Sequence, residues 1–124
     1  MQLAAHVLIT AAIIAAGNIQ AADAPRKSFE LNIVRGQVAA PQRLLKVDKG
    51  DALKLRITSD APGELHLHGY RLAATLASGQ LAELAFTAHA TGRYPFEWHP
   101  ADNAPAAGAH RRGPPLATLE VQPK

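Results

Sequence analysis

Cysteine is missing from this 124-residue chain. Its absence removes disulfides, thiolate metal ligands and cysteine nucleophiles together. Methionine occurs once, as Met1, so no thioether ligand exists further along. Aromatics are few: three Phe, two Tyr and one Trp. The longest apolar run, Val7 to Ala16, is too short for a bilayer span, which takes about 20 residues. Charge of either sign is absent from residues 1–22, and all 13 Lys/Arg and all 10 Asp/Glu lie beyond them. An uncharged apolar run closed by Gly17 and followed by the small residues of "NIQAADA" has the form of a secretory signal peptide. Cleavage is expected after Ala22, leaving one domain over residues 23–124. The start "MQLAAH" departs from the usual pattern, because its only positive charge is the free amino group.

A net charge of +3 is modest, and the basic residues are scattered apart from Arg26-Lys27 and Arg111-Arg112. There is no continuous stripe for nucleic acid and no polybasic helix for a membrane surface. A mature chain of about a hundred residues buries enough surface to fold without staples.

What the sequence does contain is a period of two. "SFELNIV" puts Phe29, Leu31 and Ile33 on one face. "DALKLRITS" alternates Leu53, Leu55 and Ile57 with Lys54, Arg56 and Thr58. "ELHLHG" alternates Leu65 and Leu67 with Glu64, His66 and His68, and "RYPFEWH" alternates Tyr94, Phe96 and Trp98 with Glu97 and His99. These are half-buried strands. Turn signals at "VDKGD", "SDAPGE", "ASGQ" and "ATG" separate them. Strands near 29–35, 43–47, 52–59, 64–69, 81–87, 93–99 and 116–122 make about seven. Their number and spacing predict an all-β, antiparallel Greek-key sandwich or small barrel. "LAATLA" at 72–77 reads as a loop or short strand, and the Ala/Pro/Gly-rich stretch 100–115 as a long loop.

Four of the six histidines carry the functional question. His66 and His68 share one strand face, some 6–7 Å apart at Cα. Glu97 and His99 repeat that spacing opposite the aromatic row. One such pair is ordinary outward polarity; two in a domain this small form a candidate nitrogen/oxygen metal site. Imidazole suits copper, zinc and nickel. His89 reads as a solvated turn residue, and His110, beside Arg111 and Arg112, as either part of a basic solvated loop, the preferred reading, or an extra ligand. No serine or threonine stands in a recognisable triad, and no glycine-rich phosphate loop is present. Glu64 and Glu97 lack the cleft that a glycosidase pair needs.

The phrases "KGDALKLRITSD", "HLHGY", "GRYPFEWH" and the closing "PLATLEVQP" follow one another in an order and spacing that resemble the bacterial cupredoxin-like domains. The similarity covers nearly all of the mature chain and is greatest to a single-domain periplasmic branch with H-x-H-G-Y and E-x-H motifs. The resemblance implies a cupredoxin-like β-sandwich, a periplasmic location, and copper as cofactor. Blue-copper members hold the metal with a mid-chain histidine, then Cys, His and often Met near the carboxyl end. His66 or His68 matches the first. After "YPF", where those members place cysteine, this chain has Glu97-Trp98-His99, and the methionine is missing. The implied site is therefore non-blue, with His66, His68, Glu97 and His99 as ligands. The H-x-H-G motif is also similar to those of multicopper oxidases, but they need four such motifs and several domains, so oxidase activity does not follow. The expected function is copper storage, delivery or tolerance, with no enzymatic activity and with a metal ion and a periplasmic protein as partners. The competing reading is a metal-free accessory module on the same scaffold.

Overall fold

In a computed structural model of the chain, residues 26–101 and 114–124 are described. The segment expected to be a signal peptide and His110 lie outside them. No helix among the described residues is long and apolar enough to cross a membrane.

Among the described residues, eight strands build two sheets. β1 (Arg26–Ile33), β3 (Ala52–Ser59) and β6 (Ala82–Thr87) form one, in the order β1-β3-β6. β2 (Leu44–Asp48), β4 (Gly63–Leu67), β5 (Leu72–Leu76), β7 (Gly92–Pro100) and β8 (Ala117–Gln122) form the other, in the order β2-β8-β7-β4-β5. A short 3-10 turn at Ala40–Gln42, opened by Pro41, precedes β2. The all-β sandwich expected from the alternation is present. One detail is settled and another needs correction. The stretch read as a loop or short strand is the latter, the five-residue β5, paired with β4. The sheets are not purely antiparallel: β1 pairs in parallel with β3, and β2 with β8. The cause is the route of the chain. β1 and β3 are separated along the chain by β2 of the other sheet, and β2 and β8 by strands of both sheets, so no tight hairpin imposes an antiparallel pair.

Alternation decides which side chains meet between the sheets. Leu31, Ile33, Leu53, Leu55, Ile57, Leu65, Leu67, Phe96 and Leu119 are each at most 1 % exposed. Their outward neighbours Glu30, Arg56, Glu64 and Glu97 are exposed. Burying a Leu or Ile side chain contributes about 1.5–3 kcal/mol, so this shared core outweighs any surface ion pair. Buried polar atoms find partners. The Ser59 hydroxyl donates to Ala61 O at 2.7 Å, and the Tyr70 hydroxyl donates to Ala90 O at 3.0 Å. No buried side-chain nitrogen or oxygen among the described residues lacks a hydrogen bond.

The β2–β3 turn shows how charge fixes local shape. Asp51 Oδ2 accepts the Asp48 backbone N–H at 2.8 Å and receives Lys27 Nζ at 2.7 Å. The hydrogen bond from Lys27, then that from Asp48, holds the Asp51 carboxyl below its ordinary value. The same contact raises the Lys27 ammonium.

Candidate metal centre

β4 and β7 lie side by side and antiparallel. Their register places Glu64 opposite His99 and His66 opposite Glu97. The inward members of these strands are Leu65, Leu67 and Phe96, so the polar members share the outer face. His68 follows the last residue of β4, and its backbone N–H continues the ladder by donating to Pro95 O at 3.1 Å. The four residues expected to act as ligands therefore occupy neighbouring positions on one patch of sheet.

Two glycines set the approach of these strands. Gly63 opens β4 on the inward face, where an added Cβ would stand 2.6 Å from His99 O and from the Trp98 ring. Its bare backbone lets β4 and β7 close up at the Glu64–His99 pair. Gly69, at φ +85°, takes the left-handed turn after His68, and a Cβ there would meet Tyr94 Cδ1 and, at 2.8 Å, Cε1. The H-x-H-G order thus packs a tyrosine under the turn that presents His68.

The side chains pair with one another. His68 Nε2 stands 2.9 Å from Glu97 Oε2, and His99 Nε2 stands 3.5 Å from that same oxygen. His66 Nε2 stands 3.0 Å from Glu64 Oε1. The His66 ring meets the His99 ring edge-on, centroids 4.8 Å apart, and runs nearly parallel to the His68 ring at 6.4 Å. All five side chains are between 38 and 55 % exposed. Among the described residues no three His, Asp or Glu side chains already converge in a metal-holding arrangement.

The donor chemistry is imidazole and carboxylate, which fits Cu(II), Zn(II) or Ni(II) and does not fit a thiolate centre. Glu64 was not among the expected ligands. Its signal was present in "ELHLHG", whose alternation puts Glu64 on the face of His66 and His68. His89 stands apart from this patch: its ring packs edge-on against Tyr70 at 4.6 Å, and its Nδ1 lies 3.3 Å from Thr87 O.

No protein-family model matches the sequence, and no curated protein is similar to it at the level of sequence. Solved structures do match its fold. A copper-binding protein in its apo form, determined by NMR, is similar at a TM-score of 0.56 and 12 % identity, over 78 % of this chain and 88 % of that one. A multicopper oxidase is similar at 0.59 and 21 %, over 80 % of this chain and 43 % of that one. A copper-containing nitrite reductase from Thermus scotoductus is similar at 0.58 and 20 %, over 81 % of this chain and 28 % of that one. This chain spans less than half the length of the oxidase and the reductase. The fold is the cupredoxin-like β-sandwich found in copper proteins.

Proposed function

We propose that this is a periplasmic copper-binding protein whose metal is held outside the sandwich, on the β4–β7 face. His66, His68 and His99 supply nitrogen and Glu97 supplies oxygen. The observation that carries the reading is Glu97 Oε2, which has two imidazole nitrogens within 3.5 Å and a third histidine directly across the ladder. Glu97, His68 and His99 are thus neighbours in the fold, and binding a cation requires them to be re-aimed at one point. Copper is preferred because it heads the affinity order for such ligands and because the structural neighbours include copper proteins. With no thiolate, bound Cu(II) supplies a non-blue N/O centre. The chain's own part is to break the His–Glu pairs, turn the neutral imidazoles inward to a common point and offset the ion's charge with Glu97. Exposure of the donors suits exchange of the metal more than permanent retention, in keeping with delivery or tolerance.

The test is calorimetric titration of the mature protein with Cu(II), wild type against His68→Ala/His99→Ala. Changing groups that only orient metal ligands typically costs 10–100-fold in affinity, so losing two direct ligands should cost more than about 100-fold. Equal affinity in the two proteins would remove the β4–β7 site and leave a metal-free interaction module as the better reading.

A further inference from the structure

The donor face is longer than one ion needs. The outward residues are Glu64 and His66 along β4, His68 just past its end, and His99 and Glu97 along β7. At about 3.3 Å per residue, Glu64 and His68 are roughly 13 Å apart at Cα. Ligand atoms on opposite sides of one first-row ion stand about 4 Å apart, given bonds of about 2.0–2.2 Å. The side chains nearest an ion at Glu97 Oε2 are His68 and His99, at 2.9 and 3.5 Å, whereas the Glu64 carboxylate is engaged by His66 at 3.0 Å.

The contacts already divide the five side chains in this way. Glu97 Oε2 gathers His68 and His99, while Glu64 Oε1 takes His66. Each group contains one carboxylate, so each can partly offset a separate divalent charge. The groups touch through the edge-on His66–His99 contact at 4.8 Å, so ions in both would be close neighbours. A groove of about 370 Å³, lined by Pro62, Thr75, Leu76 and Pro100 among others, opens beside Glu64 and His99. It leaves solvent free to complete the coordination at the Glu64 end.

We propose that the face holds two divalent ions, the second at a position built on Glu64 and His66 that the four-ligand site does not include. The proposal rests on the copper reading above: the first ion lies at His68, Glu97 and His99, and at full loading His66 passes to the second. Loading is then stepwise, with the three-donor position filling first.

The experiment is Cu(II) stoichiometry by calorimetry and by metal analysis after desalting, on the mature protein. Paramagnetic resonance is recorded at one and at two equivalents. Wild type should take two ions, and the spectrum at two equivalents should broaden through coupling between neighbouring ions. Glu64→Gln should lose the weaker equivalent and the coupling, and keep the stronger. His68→Ala should weaken the stronger equivalent and leave the Glu64 position able to bind. Folding of each variant is checked by circular dichroism, and both changes are on an exposed face. One ion in wild type, or a second ion that survives Glu64→Gln, overturns this inference while leaving the first site standing. No ion at all overturns the copper reading itself.

Discussion

Gly63→Ala tests whether the β4–β7 junction is built as described. The backbone conformation of Gly63 is one any residue can take, so the cost comes from contact alone. The new methyl would stand 2.6 Å from His99 O and 2.6 Å from Trp98 Cη2 and Cζ2. Ordinary carbon contacts lie at about 3.5–4.0 Å, so close to 1 Å must be made up. One obstacle is backbone held in the ladder, the other a large ring packed on the core, and neither yields by a simple rotamer change. Overpacking of this kind costs about 1–3 kcal/mol. For a domain near a hundred residues each kcal/mol moves Tm by roughly 4–8 °C, which predicts a fall of about 5–20 °C. Thermal unfolding followed by circular dichroism gives Tm. Fluorescence of Trp98, the single tryptophan, reports the junction directly. Because His99 moves with its carbonyl, copper affinity should fall in the same variant although no donor is changed. An unchanged Tm and an unchanged Trp98 spectrum would refute the close approach of the two strands.

Bound Cu(II) should give a pale complex with weak ligand-field absorption and a tetragonal paramagnetic spectrum; an intense thiolate charge-transfer band would contradict the ligand set. Copper affinity should drop steeply between about pH 7 and pH 5, with more than one proton taken up per ion released, because imidazole binds metal only when neutral; pH-stepped titration measures it. Acid stability should depend on Asp51. Its carboxyl is held below the ordinary value of 3.8 in the folded state, so its contribution is present above that value and is lost as pH falls through the lower folded one. The Tm of Asp51→Asn should therefore start lower at neutral pH and change less on acidification than that of wild type. Protein recovered from an expressing bacterium should begin near Asp23 by mass spectrometry; an intact Met1 on cytoplasmic protein would remove the export proposal.

Strand positions were legible because each strand has one wet face, and alternation records that directly. Leu53, Leu55 and Ile57 against Lys54, Arg56 and Thr58 left no other reading. β5 was harder because "LAATL" offers small apolar residues on both faces, with Ala73 exposed and Ala74 buried. Pairing direction was not legible, since a parallel and an antiparallel neighbour impose the same alternation; the β1–β3 and β2–β8 pairings come from the path of the chain between sheets. The candidate site was legible as two spaced pairs. Their adjacency was not, because the register of β4 on β7 depends on the Gly63–Pro100 and Leu67–Phe96 pairings some thirty residues apart. The Glu64–His66 contact was not legible, because beside histidines a strand-opening glutamate resembles an ordinary solvated residue until its carboxylate is seen against His66.

The place of β8 in its sheet governs when the fold can close. This last strand lies between β2 and β7 and is hydrogen-bonded to both. Until residues 117–122 leave the ribosome, β2 has no partner in its sheet and β7 is paired on one side only. Non-local pairings of this kind form late and slowly. A nascent chain therefore stays open until these residues emerge, with Leu45, Val47 and Phe96 waiting for Leu119 and Val121. The β4–β7 ladder that carries the histidines can begin to form earlier but is braced only when β8 arrives. The face that carries the histidines is thus secured only once β8 has been made and has paired on both sides.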